Sequence, residues 1–190
     1  MAVTINASTS SGLVQTADTS GEIQLQSNGS AIGTFSSTGL AMASGKKVSY
    51  TGAVLQVVSQ TFQGTQFSTT SNSMVATGFG VSITPTSASS KIFVSISTSL
   101  SYGGSGQGIA IYRGTTLAWN PSITDGSGAY GALFSAHGIV SIEYLDSPST
   151  TSSTTYNLYT ASRSSTTSYV NYQSSPNNGG TTITLMEIAA

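Results

Sequence analysis

The feature that most constrains this chain is an alternation of apolar and hydroxyl side chains with a period of two. In the stretch Lys91-Ile92-Phe93-Val94-Ser95-Ile96-Ser97-Thr98-Ser99-Leu100, Ile92, Val94 and Ile96 fall on one side, and Phe93, Ser95 and Ser97 on the other. Leu100 is expected to rejoin the first side after a slip. Gly138 to Leu145 sets Val140, Ile142 and Tyr144 on one face, and Thr181 to Ile188 does the same with Ile183, Leu185 and Glu187. Successive side chains of a strand point to opposite faces, and β-branched residues fit the pleat. No window keeps a 3.6-residue period among good helix formers for a dozen residues. Strands are therefore expected near 53–62, 74–84, 91–101, 107–113, 115–119, 129–136, 138–146, 154–161, 167–173 and 181–188. Turn residues separate them: Thr84-Pro85-Thr86, Gly103-Gly104-Ser105-Gly106, Asp125-Gly126, Ser147-Pro148 and Pro176-Asn177-Asn178-Gly179-Gly180. Many short strands at this spacing predict an all-β domain over 51–190, an antiparallel β-sandwich of jelly-roll-like type.

Residues 1–50 read differently. They carry short apolar pairs between Ser, Thr and Gly: Val3/Ile5, Leu13/Val14, Ile23/Leu25, Ile32/Phe35 and Leu40/Met42. Gly21 to Phe35 reads as a hairpin turning at Asn28-Gly29, a dipeptide suited to the left-handed backbone of a two-residue turn. A lone hairpin cannot bury its apolar face. These residues are thus the candidates for docking to a partner, and the region is expected to be an extended hairpin element for assembly. The simpler account is a frayed tail with one loose hairpin.

Composition removes several functions. Only 6% of residues are charged and the net charge is −1, against about 25% charged in an average soluble domain. The chain holds 37 Ser and 28 Thr instead. Five bases cannot form the stripe that displaces counterions from nucleic-acid phosphates, nor a polybasic membrane anchor. No apolar run approaches the roughly 20 residues of a membrane helix, so no membrane insertion is expected. Met1 to Asn6 has neither a basic nor a long apolar segment, so no signal peptide is expected. With no Cys, thiolate chemistry and disulfides are excluded.

The remaining chemistry is thin, and no enzyme and no cofactor is expected. His137 is the one histidine, at a predicted turn. Glu143 and Asp146 could orient it, but no Ser has Gly two residues before and two after, the pattern of a nucleophile elbow. The same two acids, three apart on a strand, should point to opposite faces, which does not suit paired-carboxylate glycoside hydrolysis. Asp18, Glu22 and Asp125 fall in the N-terminal segment and a Gly-rich turn. One His and no Cys leave only carboxylates for a metal. Gly126-Ser127-Gly128-Ala129-Tyr130-Gly131 matches GxGxxG, but phosphate binding requires a helix to start there and a strand is predicted. Asn6-Ala7-Ser8 and Asn28-Gly29-Ser30 match the N-glycosylation pattern, which means little without a leader. Lys46-Lys47, the one basic doublet, reads as a solvated linker or an acidic-partner contact.

Aromatic residues offer another surface. Trp119 precedes Asn120-Pro121 at a predicted strand end, and Tyr102, Tyr130, Tyr156, Tyr159, Tyr169 and Tyr172 add amphipathic rings. Such rings pack cores first, protein interfaces second and sugars third. Trp119, Asn120, Asp125 and Tyr130 are the candidates for surface recognition.

Two stretches carry a family resemblance. Glu22-Ile23-Gln24-Leu25-Gln26-Ser27-Asn28-Gly29 followed by Thr34-Phe35-Ser36-Ser37-Thr38-Gly39-Leu40-Ala41 resembles the short repeats of bacteriophage tail-fibre and related virion proteins. Ile109 to Thr116, Ser141 to Pro148, Thr154-Thr155-Tyr156, Tyr169-Val170-Asn171 and Ile183 to Ala189 resemble the C-terminal β-domain of the same proteins. The resemblance implies a homotrimeric, non-enzymatic part of a phage particle, assembled in the cytoplasm of a bacterial host. Its partners would be further copies of itself, a major capsid protein or another virion protein, and a host surface glycan. About 50 residues before the sandwich is short for a fibre. The expectation is a capsid-decorating or cement protein whose residues 1–50 dock and trimerise, with a short tail fibre or receptor-binding tip as the alternative.

Overall fold

In the computed structural model, the residues described are 20–46, 48, 50–102, 106–120, 123–124, 129–130, 138–163, 165–173 and 180–190. They form strands and turns, with no helix among them. The chain divides into two compact units, Met1–Val48 and Ser49–Ala190.

The first unit contains a three-stranded antiparallel sheet, β1 (Ile23–Ser27), β2 (Ser30–Ser36) and β3 (Gly39–Met42), in the order β1-β2-β3. Asn28 and Gly29 close the first hairpin with φ of 50° and 73°. Both central residues of this turn need positive φ, which is why Asn-Gly stands there. Leu40 and Met42, expected from the sequence only as an apolar pair, lie on a third strand too short for its alternation to be read.

The second unit is a sandwich-like pair of antiparallel sheets. Its strands are β4 (Val54–Phe62), β5 (Phe67–Thr69), β6 (Val75–Ile83), β7 (Lys91–Tyr102), β8 (Gln107–Arg113), β9 (Thr116–Trp119), β10 (Ile123–Thr124), β11 (Ala129–Tyr130), β12 (Gly138–Asp146), β13 (Thr154–Ser162), β14 (Ser168–Val170) and β15 (Thr181–Ile188). One sheet runs β4-β15-β7-β14-β5, with β12 on the other edge of β7, and the other runs β6-β13-β8-β9. β10 and β11 pair with each other.

Every second residue of the long strands enters one core. Ile92, Val94, Ile96 and Leu100 from β7 meet Phe79, Val81 and Ile83 from β6, Ile109 and Ile111 from β8, and Tyr156 and Leu158 from β13. Ile142, Val170, Ile183 and Leu185 complete the cluster. Burying such side chains contributes about 1.5–3 kcal/mol each before ordering costs.

The expected slip before Leu100 does not occur. Thr98 occupies the inward position, fully buried, and its hydroxyl bonds that of Thr181 at 2.7 Å. A satisfied threonine can sit in the core, so the alternation runs unbroken from Ile92 to Leu100. The strand expected at 167–173 is also shorter, because Asn171 turns to φ 58° after Val170. Within 129–136 only Ala129–Tyr130 is described, as β11, and the rest lies outside the described residues.

Candidate interaction surfaces

Register explains what the N-terminal apolar residues do. Ile23 pairs with Phe35 across β1 and β2, and Phe35 with Leu40 across β2 and β3. The next row on the same face is Leu25, Gly33 and Met42. A Cβ on Gly33 would lie 3.3 Å from Leu40 Cδ1 and 3.4 Å from Met42 Sδ, so both side chains lean over the glycine. The opposite face carries Gln24, Thr34 and Ala41. Ile32 is the extra residue of a β-bulge between the pairs Leu25–Gly33 and Gln26–Ala31. It is half-buried, and its carbonyl accepts a hydrogen bond from the Ala43 amide at 3.1 Å.

One face of this sheet is therefore apolar. Ile23, Leu25, Phe35 and Leu40 remain between 38% and 45% exposed. Lone exposed apolar residues are ordinary, whereas these form a contiguous row. The register brings together five of the ten predicted docking residues, Ile23, Leu25, Phe35, Leu40 and Met42. Val3, Ile5, Leu13 and Val14 lie outside the described residues.

The predicted recognition residues are placed less completely. Trp119 ends β9, is half-buried, and packs against the sandwich core. Asn120 follows it, half-buried and engaged. Tyr130 contributes backbone to β11 opposite Ile123. Asp125 and His137 lie outside the described residues, as do Lys47 and Asn6. Lys46 is exposed, and its amide bonds the Ala43 carbonyl at 2.9 Å. Strand β11, rather than a helix, comes directly after Gly128, so the geometry for phosphate binding is not formed at Ala129–Tyr130.

The buried ionisable groups act as structural locks. Asp146 ends β12 on the inner side, 6% exposed. Arg113 Nη1 donates to Asp146 Oδ2 at 2.8 Å, and the Tyr156 hydroxyl donates to the same oxygen at 2.7 Å. Burial, then the hydrogen bond and negative charge of Asp146, push the Tyr156 hydroxyl far above its ordinary range, against the opposing pull of Arg113. Tyr156 stays a proton donor. Glu143 is exposed on the opposite side of β12 from Asp146, so these carboxylates do not converge.

Glu187 makes the second lock. It lies on the core side of β15, fully buried. Gln56 Nε2 donates to Glu187 Oε2 at 2.6 Å, and the Thr86 amide and hydroxyl donate to Oε1 at 2.7 and 2.8 Å. Burial alone would raise its pKa. The bonds from Gln56 and Thr86, with the buried Ser90 hydroxyl nearby, outweigh it and hold the carboxyl down at about 2. The alternation reveals Glu187 as inward-facing. Its partners sit 131 and 101 residues away in sequence and carry no local signal. Among the described residues no group of three His, Cys, Asp or Glu could hold a metal ion, and no helix is long and apolar enough to cross a membrane.

No protein-family model matches the chain, and no curated protein matches it. Solved structures that it is similar to include the VP2 subviral particle of infectious bursal disease virus, at 12% identity and a TM-score of 0.38, covering 80% of this chain and 44% of that one. The T13 particle of the same virus gives 15% identity and 0.38, covering 88% and 41%. The Gt strain structure gives 15% and 0.36, covering 98% and 47%. This chain spans less than half the length of each of these proteins. A likeness of this strength assigns no family and no function.

Proposed function

We propose that the chain is a non-enzymatic structural component of a virus particle, a homotrimeric capsid-decorating protein of a bacteriophage. The N-terminal region docks on the shell and the sandwich projects from it. The observation that carries this reading is the apolar face of the N-terminal sheet, with Ile23, Phe35 and Leu40 in one row and Leu25 and Met42 in the next. A three-stranded sheet with one bare apolar face requires a cover. Closed threefold association would supply part of it, and the particle the rest. The sandwich suits exposure outside a cell, since the whole chain offers five Lys and Arg positions to trypsin-like proteases.

The test replaces Ile23, Phe35 and Leu40 together by Ser in the full chain. Light scattering should give a mass that is a multiple of three chains for the natural protein and one third of that mass for the variant, with the strand signal of the sandwich retained. The threefold mass should change little with salt, because so few charges are available for screening. A variant that stays trimeric sinks the assignment of this face. Binding to bare capsids supports decoration, whereas binding to host cells alone favours a short tail fibre or receptor-binding tip.

A further inference from the structure

A second apolar surface lies on the sandwich, and the sequence does not reveal it because its members come from four strands. Leu145 on β12 pairs with Phe93 on β7, Phe93 with Met186 on β15, and Met186 with Val57 on β4. All four point away from the core, because their neighbours Ile92, Val94, Leu185 and Glu187 are fully buried. Val57 is 54% and Leu145 48% exposed at the two ends, with Phe93 and Met186 half-buried between them. On one side, Val54 and Ile188 pair next to Lys91. On the other side runs a polar row of Ser59, Thr184, Ser95 and Glu143. An apolar row across four strands is a surface that needs covering.

We infer that this face packs on the same face of a second copy of the chain, about a twofold axis running along the apolar row. The charges select the occupant and the axis. Lys91 lies two residues before Phe93 and Glu143 two residues before Leu145 on an antiparallel strand. They therefore flank the row on opposite sides, each about 7 Å from it along the strands. Both are exposed, and neither forms an ion pair within the chain among the described residues. Rotation about the row stacks the apolar residues on their counterparts. It carries Lys91 of one copy over the row that holds Ser95 and Glu143 in the other, one strand spacing from Glu143. Sheets pack about 10 Å apart, within reach of a Lys and a Glu that extend toward each other. The contact then has two symmetry-related ion pairs around an apolar centre, and its strands stay aligned as in a face-to-face sandwich. A twofold axis parallel to the strands would instead set Lys91 beside Lys91, a like-charge contact that disfavours it. This contact is independent of the N-terminal sheet, and would join single chains or trimers in pairs.

Sedimentation of the full chain tests it with four variants: Val57→Glu, Lys91→Glu, Glu143→Lys, and the last two combined. The natural protein should reach an even number of chains. Val57→Glu should halve that mass while the circular dichroism of the strands is unchanged. Each single charge reversal should weaken the pairing on the order of ten-fold, and the combined swap should restore it. The charged positions are exposed, so these variants report even if Val57→Glu fails to fold. A natural protein that stays at an odd number of chains at every concentration overturns the inference. So does a folded Val57→Glu protein of unchanged mass, or a swap that fails to rescue. Loss of threefold mass in the N-terminal variant leaves this result unaffected, so the two readings fail separately.

Discussion

The two units use the same local code and end in opposite states. In β7, alternate residues face a second sheet, and Ile92, Val94 and Ile96 are fully buried. In β1 and β2, alternate residues also share a face, yet Ile23 and Phe35 are both 44% exposed. Period-two patterning decides which side chains share a face. It does not decide what covers that face. In the sandwich the cover is the chain's own second sheet, six strands against four. In the N-terminal unit the described residues form a single three-stranded sheet. The apolar face there stays partly exposed, which is what the proposed docking role would use.

The largest effect that would break the comparison is in the core. Ile96 is fully buried, and its cross-strand neighbours on the inner face are Ile142 and Ile183. Ile96→Ala removes buried methyl groups and leaves a cavity between three strands. Urea unfolding should show a loss of about 2–5 kcal/mol. A loss below about 0.5 kcal/mol, the usual size for an exposed site, would mean that the sandwich core is no better packed than the N-terminal face.

A smaller effect sharpens how the sandwich manages its few charges. Glu187 has a pKa of about 2 in the folded chain against an ordinary 4.5. Its folded pKa is depressed, so the charged carboxylate is held more tightly folded than unfolded. The stability this contributes is complete above about pH 4.5 and is lost as the pH falls toward 2. Glu187→Gln removes that titration. The variant should be less stable than the natural protein at pH 7, and the gap between them should close as the pH falls through that window. A gap that stays constant with pH would show that Gln56 and Thr86 hold Glu187 no more tightly as an anion than as an acid.

The elements that were legible in the sequence are the ones with many alternations. β12 and β15 occupy the expected 138–146 and 181–188, and β8 the expected 107–113. Each has seven to nine residues over which a face can be read. β3, β5 and β10, with four, three and two residues, offer too few repeats. Thr98 defeated the reading of β7 because a hydroxyl in the core is paired by Thr181, a contact 83 residues away. The N-terminal apolar residues were legible as candidates, and the Asn28-Gly29 turn fixed the first register. The row of Val57, Met186, Phe93 and Leu145 was not, since each strand contributes one residue and only sheet order joins them. Arg113, Asp146 and Tyr156 stayed hidden for the same reason, each being an ordinary member of its own strand.

The smallest expected effect is the most informative about the two units. Phe35→Ser removes the central ring of the N-terminal row, flanked by Ile23 and Leu40. If the row is a contact surface, the substitution should weaken association strongly. Thermal unfolding of the sandwich should barely move, within about 0.5 kcal/mol, because Phe35 is half-exposed and is not a member of the sandwich's core cluster. Contacts between chains act on apparent stability through concentration, so the comparison must be made at low protein concentration, where both proteins are dissociated. There the two melting curves should superimpose. At high concentration the natural protein should gain more than the variant, by the free energy of the association that Phe35 supports. A sandwich that melts early in the Phe35→Ser protein at every concentration would show that the N-terminal face is covered by its own chain, and the contrast between the two units would then be one of degree.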